Sequence, residues 1–158
     1  MNIIKKVVSL PHTVGTFIPA FLTPFIVRIA IFFVFWNSAQ SRLYEWKFLG
    51  YSWKFWEISE TSFYLFDEFS IPLLSTELST YMATFTEFFL SLFILLGVFT
   101  RCSALGLLGL VLIIQIFAMP GSWAVHLLWS SSLIYILKEG AGPVSIDKLL
   151  KEPLINPK

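Results

Sequence analysis

The sequence predicts an all-α integral membrane protein, a four-helix up-down bundle with an outer interfacial segment between its first and second helices. Three observations carry this. The chain of 158 residues is 56% hydrophobic and 13% charged, with a mean hydropathy of +0.76. A soluble domain of that length could not hide so much apolar surface, because surface grows too fast relative to volume. Four apolar runs of near-membrane length divide it, and two of their three connections are very short. The chain is therefore read as a single membrane domain over 1–158.

The first run, "PFIVRIAIFFVFWNSAQSRL", covers 24–43, and the second, "STYMATFTEFFLSLFILLGVF", covers 79–99. The third, "CSALGLLGLVLIIQIFAM", covers 102–119, and the fourth, "SWAVHLLWSSSLIYILK", covers 122–138. About 20 residues span a bilayer core as a helix, so the fourth is short and crosses with little tilt. The connections "TR" and "PG" force consecutive helices to be antiparallel neighbours. The loop 44–78 is rich in Trp, Tyr and Phe and carries six acids: Glu45, Glu57, Glu60, Asp67, Glu68 and Glu77. Within it "SETSFYLFDEF" reads as a short helix capped by Ser59 or Thr61, lying among the headgroups. In the tail 139–158, Gly140 or Gly142 ends the fourth helix in a left-handed conformation. Ser145 then caps a new helix, and Asp147 complements its dipole.

Direction follows from Lys and Arg. Lys5, Lys6, Arg101, Lys138, Lys148, Lys151 and Lys158 lie at one end of the helices. The turn between the third and fourth has none, and Lys47 and Lys54 are outnumbered by the loop acids. Both termini are expected to be cytoplasmic and the loop outside. The start "MNIIKKVVSLPHTVGTF" is read as retained, because Pro11 and His12 break its apolar run and no small-residue cleavage site follows closely. The net charge of +1 and the absence of a basic cluster point away from nucleic acid. A single cysteine, Cys102, excludes an internal disulfide or dithiol chemistry within the chain.

Glu87 stands in the second span without a charged neighbour in sequence. At 1.5 Å per residue from Ser79 it lies roughly 12 Å below the outer face. Asn37 and Gln40 near the outer end of the first span, Gln115 in the third and His126 in the fourth fall in the same outer half. An ionisable group within a span is expensive and normally faces the interior. One reading is a polar pocket open to the outer leaflet, in which Glu87 and His126 exchange protons with a ligand held by Asn37, Gln40 or Gln115. The other is structural glue, with Glu87 bonded to Asn37 or Gln40 to fix helix register. Arg28, near the cytoplasmic end of the first span, either snorkels to phosphates or reaches inward toward Glu87. With His12 as the second histidine, predicted on the opposite side, the chain by itself offers no metal site.

These residues carry a family likeness over about 24–150. "VRIAIFFVFWNSAQSRL" resembles the first span of the DoxX family, small four-span bacterial membrane proteins. In the closest subtype the motif is Phe-Trp-x-Ser-Gly-Gln-x-Lys; here Phe35, Trp36, Ser38 and Gln40 match, Ala39 replaces Gly and Arg42 replaces Lys. The family Glu falls at Glu87 and a Gly-x-x-Thr-Arg turn at Gly97 to Arg101, with Ser91 where the family has Pro. "ALGLLGLVLIIQIFAMPGSWAVHLLW" supplies Gln115, Pro120, Trp123 and His126. "GAGPVSIDKLL" is similar to the family's Gly-Pro-Gly-x-x-Ser-x-Asp ending.

The resemblance implies a bacterial inner-membrane protein with links to quinone-reducing sulfur oxidation or oxidative-stress complexes. The subtype resembles proteins encoded beside enzymes that make metal-binding modified peptides. Fold alone does not fix function. The first functional reading is a membrane subunit of a redox system. A quinone would enter between helices and meet Glu87 and His126, with Gln40, Gln115, Asn37, Arg28 and Trp36 around it. The chain has no haem or iron–sulfur ligand set, so a redox partner would supply electrons. The second is a non-catalytic scaffold or receptor that docks a protein through its outer loop. The third is a small transporter, which would have to dimerise to build a path.

Overall fold

The computed structural model describes residues 11, 14–48, 51–54, 57–69, 71–72 and 74–155. Lys5, Lys6, His12 and Lys158, and the reading of the N-terminal stretch as retained, lie outside the described residues.

Helix α1, Leu22–Arg42, carries Pro24 in its first turn, where the missing N–H costs no intrahelical bond. With Pro24, its buried residues are Arg28, Ile31, Phe32, Phe35 and Ala39, a stripe at helical spacing. After Leu43 the chain turns into a short antiparallel hairpin, β1 (Trp46–Phe48) and β2 (Tyr51–Trp53). The hairpin lies in the segment between the first two spans, and the rest of the fold is helical, as the all-α reading expects. The aromatic residues alternate with Lys47 and Ser52, a period of two that suits a strand. Helix α2, Glu60–Phe69, buries Ser62 and Phe66. It packs on α3, Thr76–Leu96.

Helix α3 begins ahead of Ser79 because the Ser75 hydroxyl accepts from Leu78 N at 3.3 Å. It ends at Gly97, whose φ of 72° lets its own N–H and that of Val98 return to Ile94 and Phe93 carbonyls, the left-handed stop that glycine takes without strain. Helix α4, Thr100–Ile113, continues as a π-helical turn, Ile114–Ala118, closed by Met119 N to Ile114 O at 2.8 Å. Helix α5, Trp123–Glu139, follows, and α6, Ile146–Ile155, lies in the tail. Ser145 Oγ accepts from Lys148 N at 3.3 Å at the start of α6.

Helix α1 packs on α3 and α5, and α4 on α3 and α5. Between them lie Ile31, Phe35, Ile94, Ala104, Leu107, Val111, Leu133 and Ile136. Small buried residues, Ser91, Ser103 and Ala104, let the backbones approach. A Cβ on Gly106 would come within 2.6 Å of Leu90 Cδ1. Such close packing matters where lipid removes the hydrophobic drive between helices. Large apolar side chains such as Leu105, Leu112, Leu127 and Leu128 point outward. Among the described residues three helical segments, Leu22–Arg42, Thr76–Leu96 and Thr100–Ala118, are long and apolar enough to cross a membrane; α5 has 17 residues.

Candidate functional site

Glu87 is fully buried on α3. Its Oε1 accepts from Arg42 Nη2 at 2.9 Å. The same Nη2 donates to Ser38 Oγ at 2.9 Å, one turn earlier on α1. The guanidinium sits over the Phe66 ring at 5.3 Å, a cation–π contact strengthened by exclusion of water. Helix α2 is held over this pair because Arg42 O accepts from Ser59 N at 2.9 Å and Ser62 Oγ at 3.2 Å. Arg42 Nη1, Glu87 Oε2 and Thr84 Oγ1 are buried and make no hydrogen bond among the described residues. Arg42 and Glu87 line a cavity of about 470 Å³. Its other walls are mainly apolar: Phe35, Leu65, Phe66, Ile113, Phe117 and Trp129, with Ser38 and Ser62.

The partner of Glu87 is thus Arg42, and not Asn37, Gln40, Gln115, His126 or Arg28 as the sequence suggests. Rotation about α1 explains the correction. Asn37 is exposed and Gln40 half-buried, whereas Ser38 and Arg42 share the inward stripe. Trp36 packs between Phe32 and Phe88, with ring centroids 5.3 and 4.8 Å away. Arg42 reads from sequence as the basic end of a span. The signal that marks it is its place: Arg42 stands at the loop end of α1, which the Lys and Arg distribution puts outside, so it runs against the bias from which that orientation is read.

Arg28 neither snorkels nor reaches Glu87. It is buried, and lies on the same face of α1 as Arg42, fourteen residues away or roughly 21 Å along the axis. Its Nε donates to Ile94 O at 2.8 Å, and Nη1 to Ala141 O at 2.9 Å and Val144 O at 2.7 Å. Nη2 donates to Leu95 O. One guanidinium thus bonds carbonyls in the last turn of α3, where Ile94 O also accepts from Gly97 N, and ties the tail to α1. Asp147 completes the joint. Its Oδ1 accepts from Phe99 N at 2.9 Å, and its Oδ2 from Thr100 N at 3.0 Å and Thr100 Oγ1 at 2.7 Å. Asp147 therefore caps α4 from another element, beyond the role expected for it in its own helix. A Cβ on Gly97 would fall 2.6 Å from Ser145 Cβ, so the turn and the tail fit only with glycine there.

Gln115 and His126 form a second cluster. His126 Nδ1 lies 2.6 Å from Gln115 Oε1, and Gln115 Nε2 donates to Pro120 O at 2.7 Å. Both residues line a groove of about 730 Å³ between α4 and α5. Among the described residues it shares no lining residue with the Arg42–Glu87 cavity. The single polar layer expected from depth is therefore two clusters. Chemically, the first offers an unused cationic donor beside an unused carboxylate oxygen, suited to a polar head on an apolar body.

Residues 23–121 match the DoxX family. An uncharacterized protein of Haemophilus influenzae (strain ATCC 51907 / DSM 11121 / KW20 / Rd) is 29% identical over 131 residues, covering 77% of this chain and 80% of its own. No solved structure matches the chain.

Proposed function

This chain belongs to the DoxX family, and on that premise we propose that it is the membrane subunit of a quinone-linked redox system in the bacterial inner membrane. In this reading all four long helices cross the bilayer as an up-down bundle, with both termini cytoplasmic and the hairpin and α2 outside. The supporting observation is the orphaned pair of polar atoms, Arg42 Nη1 and Glu87 Oε2, on the wall of an otherwise apolar cavity. Leaving such groups without partners is costly; a quinone carbonyl would accept from Arg42 Nη1, and the hydroxyl of its reduced form would donate to Glu87 Oε2. Arg42 Nη1 donates to a carbonyl oxygen and holds it. Glu87, once protonated at Oε2, passes one of the two protons that accompany two-electron reduction, and the other comes from solvent water. The electrons come from a redox partner protein, since one cysteine cannot hold an iron–sulfur cluster.

The runner-up is a scaffold that docks a protein through its outer segment. It is favoured by the exposed Tyr64 and Leu65 on α2, which carries Glu60, Asp67 and Glu68. Titrating a short-chain quinone into the detergent-purified protein, with tryptophan fluorescence as readout, separates the two. Trp129 lines the cavity, so saturable quenching is expected. It should vanish in Arg42→Met/Glu87→Leu, which removes both charges together and so keeps the fold. Equal quenching in both proteins would leave the scaffold reading standing.

A further inference from the structure

We propose that His126 presents a bare ring nitrogen, Nε2, as the hydrogen-bond acceptor for a phenolic molecule drawn from the lipid phase, in the groove between α4 and α5. The inference stands on different residues from the Arg42–Glu87 cavity and does not depend on it.

A chain of donors and acceptors fixes the ring. Pro120 has a carbonyl that only accepts, so the Gln115 group 2.7 Å from it is the amide nitrogen. That orientation turns Gln115 Oε1 toward His126 Nδ1 at 2.6 Å. An amide oxygen also only accepts, so Nδ1 carries the hydrogen. In the neutral ring Nε2 is then left with its lone pair, and it makes no hydrogen bond among the described residues. The ring is seated against Trp129, centroids 5.1 Å apart. The π-turn Ile114–Ala118 contains Gln115 at its second position. Such turns add a residue to a helix and are frequent at functional sites. Gln115 is buried there although its neighbours Ile116 and Phe117 are exposed.

The groove selects its occupant. Leu112, Ile116, Trp123 and Leu127 wall it and are exposed on the outside of the helices, so in a spanning chain they open to lipid. Ser130, one turn from His126, adds a hydroxyl. Among the described residues no Lys or Arg lines it, so an anionic head such as a phosphate or carboxylate would lie there uncompensated. A head bearing only carbonyl oxygens would set acceptor against acceptor at Nε2. A neutral hydroxyl donor fits. A phenol donates more strongly than an aliphatic alcohol because its oxygen is more acidic, and its ring matches the aromatic surface of Trp123 and His126. The site therefore discriminates for a ring hydroxyl over the corresponding ring carbonyl.

The test uses the full chain in nanodiscs with 15N-labelled histidine. Two histidines, His12 and His126, are present, so His12→Gln assigns the signals. In the free protein the His126 Nε2 resonance should be that of an unprotonated nitrogen, with Nδ1 protonated. Added 4-octylphenol should shift it saturably, whereas its methyl ether, which cannot donate, should not. The same shift is expected in Arg42→Met/Glu87→Leu, which separates this site from the other cavity. His126→Phe should lower phenol affinity by about tenfold, the worth of one good hydrogen bond, and leave the ether unchanged. The proposal is overturned if Nδ1 proves to be the unprotonated nitrogen, if the phenol leaves Nε2 unmoved, or if phenol and ether act alike.

Discussion

At the scale of the residue, a carboxylate survives inside an apolar helix because a cation is buried with it. A charged group facing lipid near mid-depth is penalised by about 2.5–3.5 kcal/mol on insertion scales. Breaking a buried pair by removing one member costs about 3–5 kcal/mol, since the other is stranded. Glu87→Leu should therefore lower stability in detergent by roughly that amount, leaving Arg42 without its carboxylate. Arg42→Met added to it should restore most of the loss, as thermal unfolding of the three proteins would show. Additive losses would mean that the two groups do not act as a pair. Arg28→Lys is expected to destabilise by roughly 1.5–3 kcal/mol, because an ammonium has three donors on a point and cannot span carbonyls of α3 and the tail as the planar fork does. That Glu87 faces inward was legible from cost alone. That Arg42 is its partner was not, because the choice among polar residues at similar depth depends on the rotation of α1.

At the scale of the element, the joint formed by Gly97, Arg28, Ser145 and Asp147 locks the tail to the α3–α4 turn. Gly97→Ala should cost roughly 1–2 kcal/mol for its positive φ, with a further loss from the encounter with Ser145. Asp147→Ala should cost about 0.5–2 kcal/mol, the value of a cap, and hydrogen exchange should rise at Phe99 and Thr100, where the amides lose their acceptor. Unchanged exchange at those two amides would show that Asp147 does not cap α4. The long helices were readable because runs of 17–21 residues dominated by apolar side chains leave few other structures. The tail cap at Ser145 was readable for a local reason, a side chain meeting its own helix. The hairpin was not, since three-residue strands owe their pairing to backbone bonds and their alternation is too short to stand out in an aromatic-rich loop. Nor was the π-turn, which changes the period by one residue within a run where every position is apolar but Gln115.

At the scale of the whole molecule, the outward-facing leucines and phenylalanines and the inward polar clusters describe a protein turned toward lipid on its outside. Orientation is tested by cysteine labelling in a Cys102→Ser background, because Cys102 is exposed. An impermeant reagent added outside intact cells should modify Tyr64→Cys and spare Leu149→Cys; both residues are exposed on their helices. The reverse pattern would place the Arg42–Glu87 cavity on the cytoplasmic side and move its partner there. The proposed role at that cavity is tested most directly by what the protein carries out of the membrane. The chain is purified in mild detergent from native membranes and its lipid extract assayed for quinone per chain. About one quinone per chain is expected for the unaltered protein, with near-complete loss in Arg42→Met/Glu87→Leu. An extract without quinone, or one equally rich from the double variant, would contradict it.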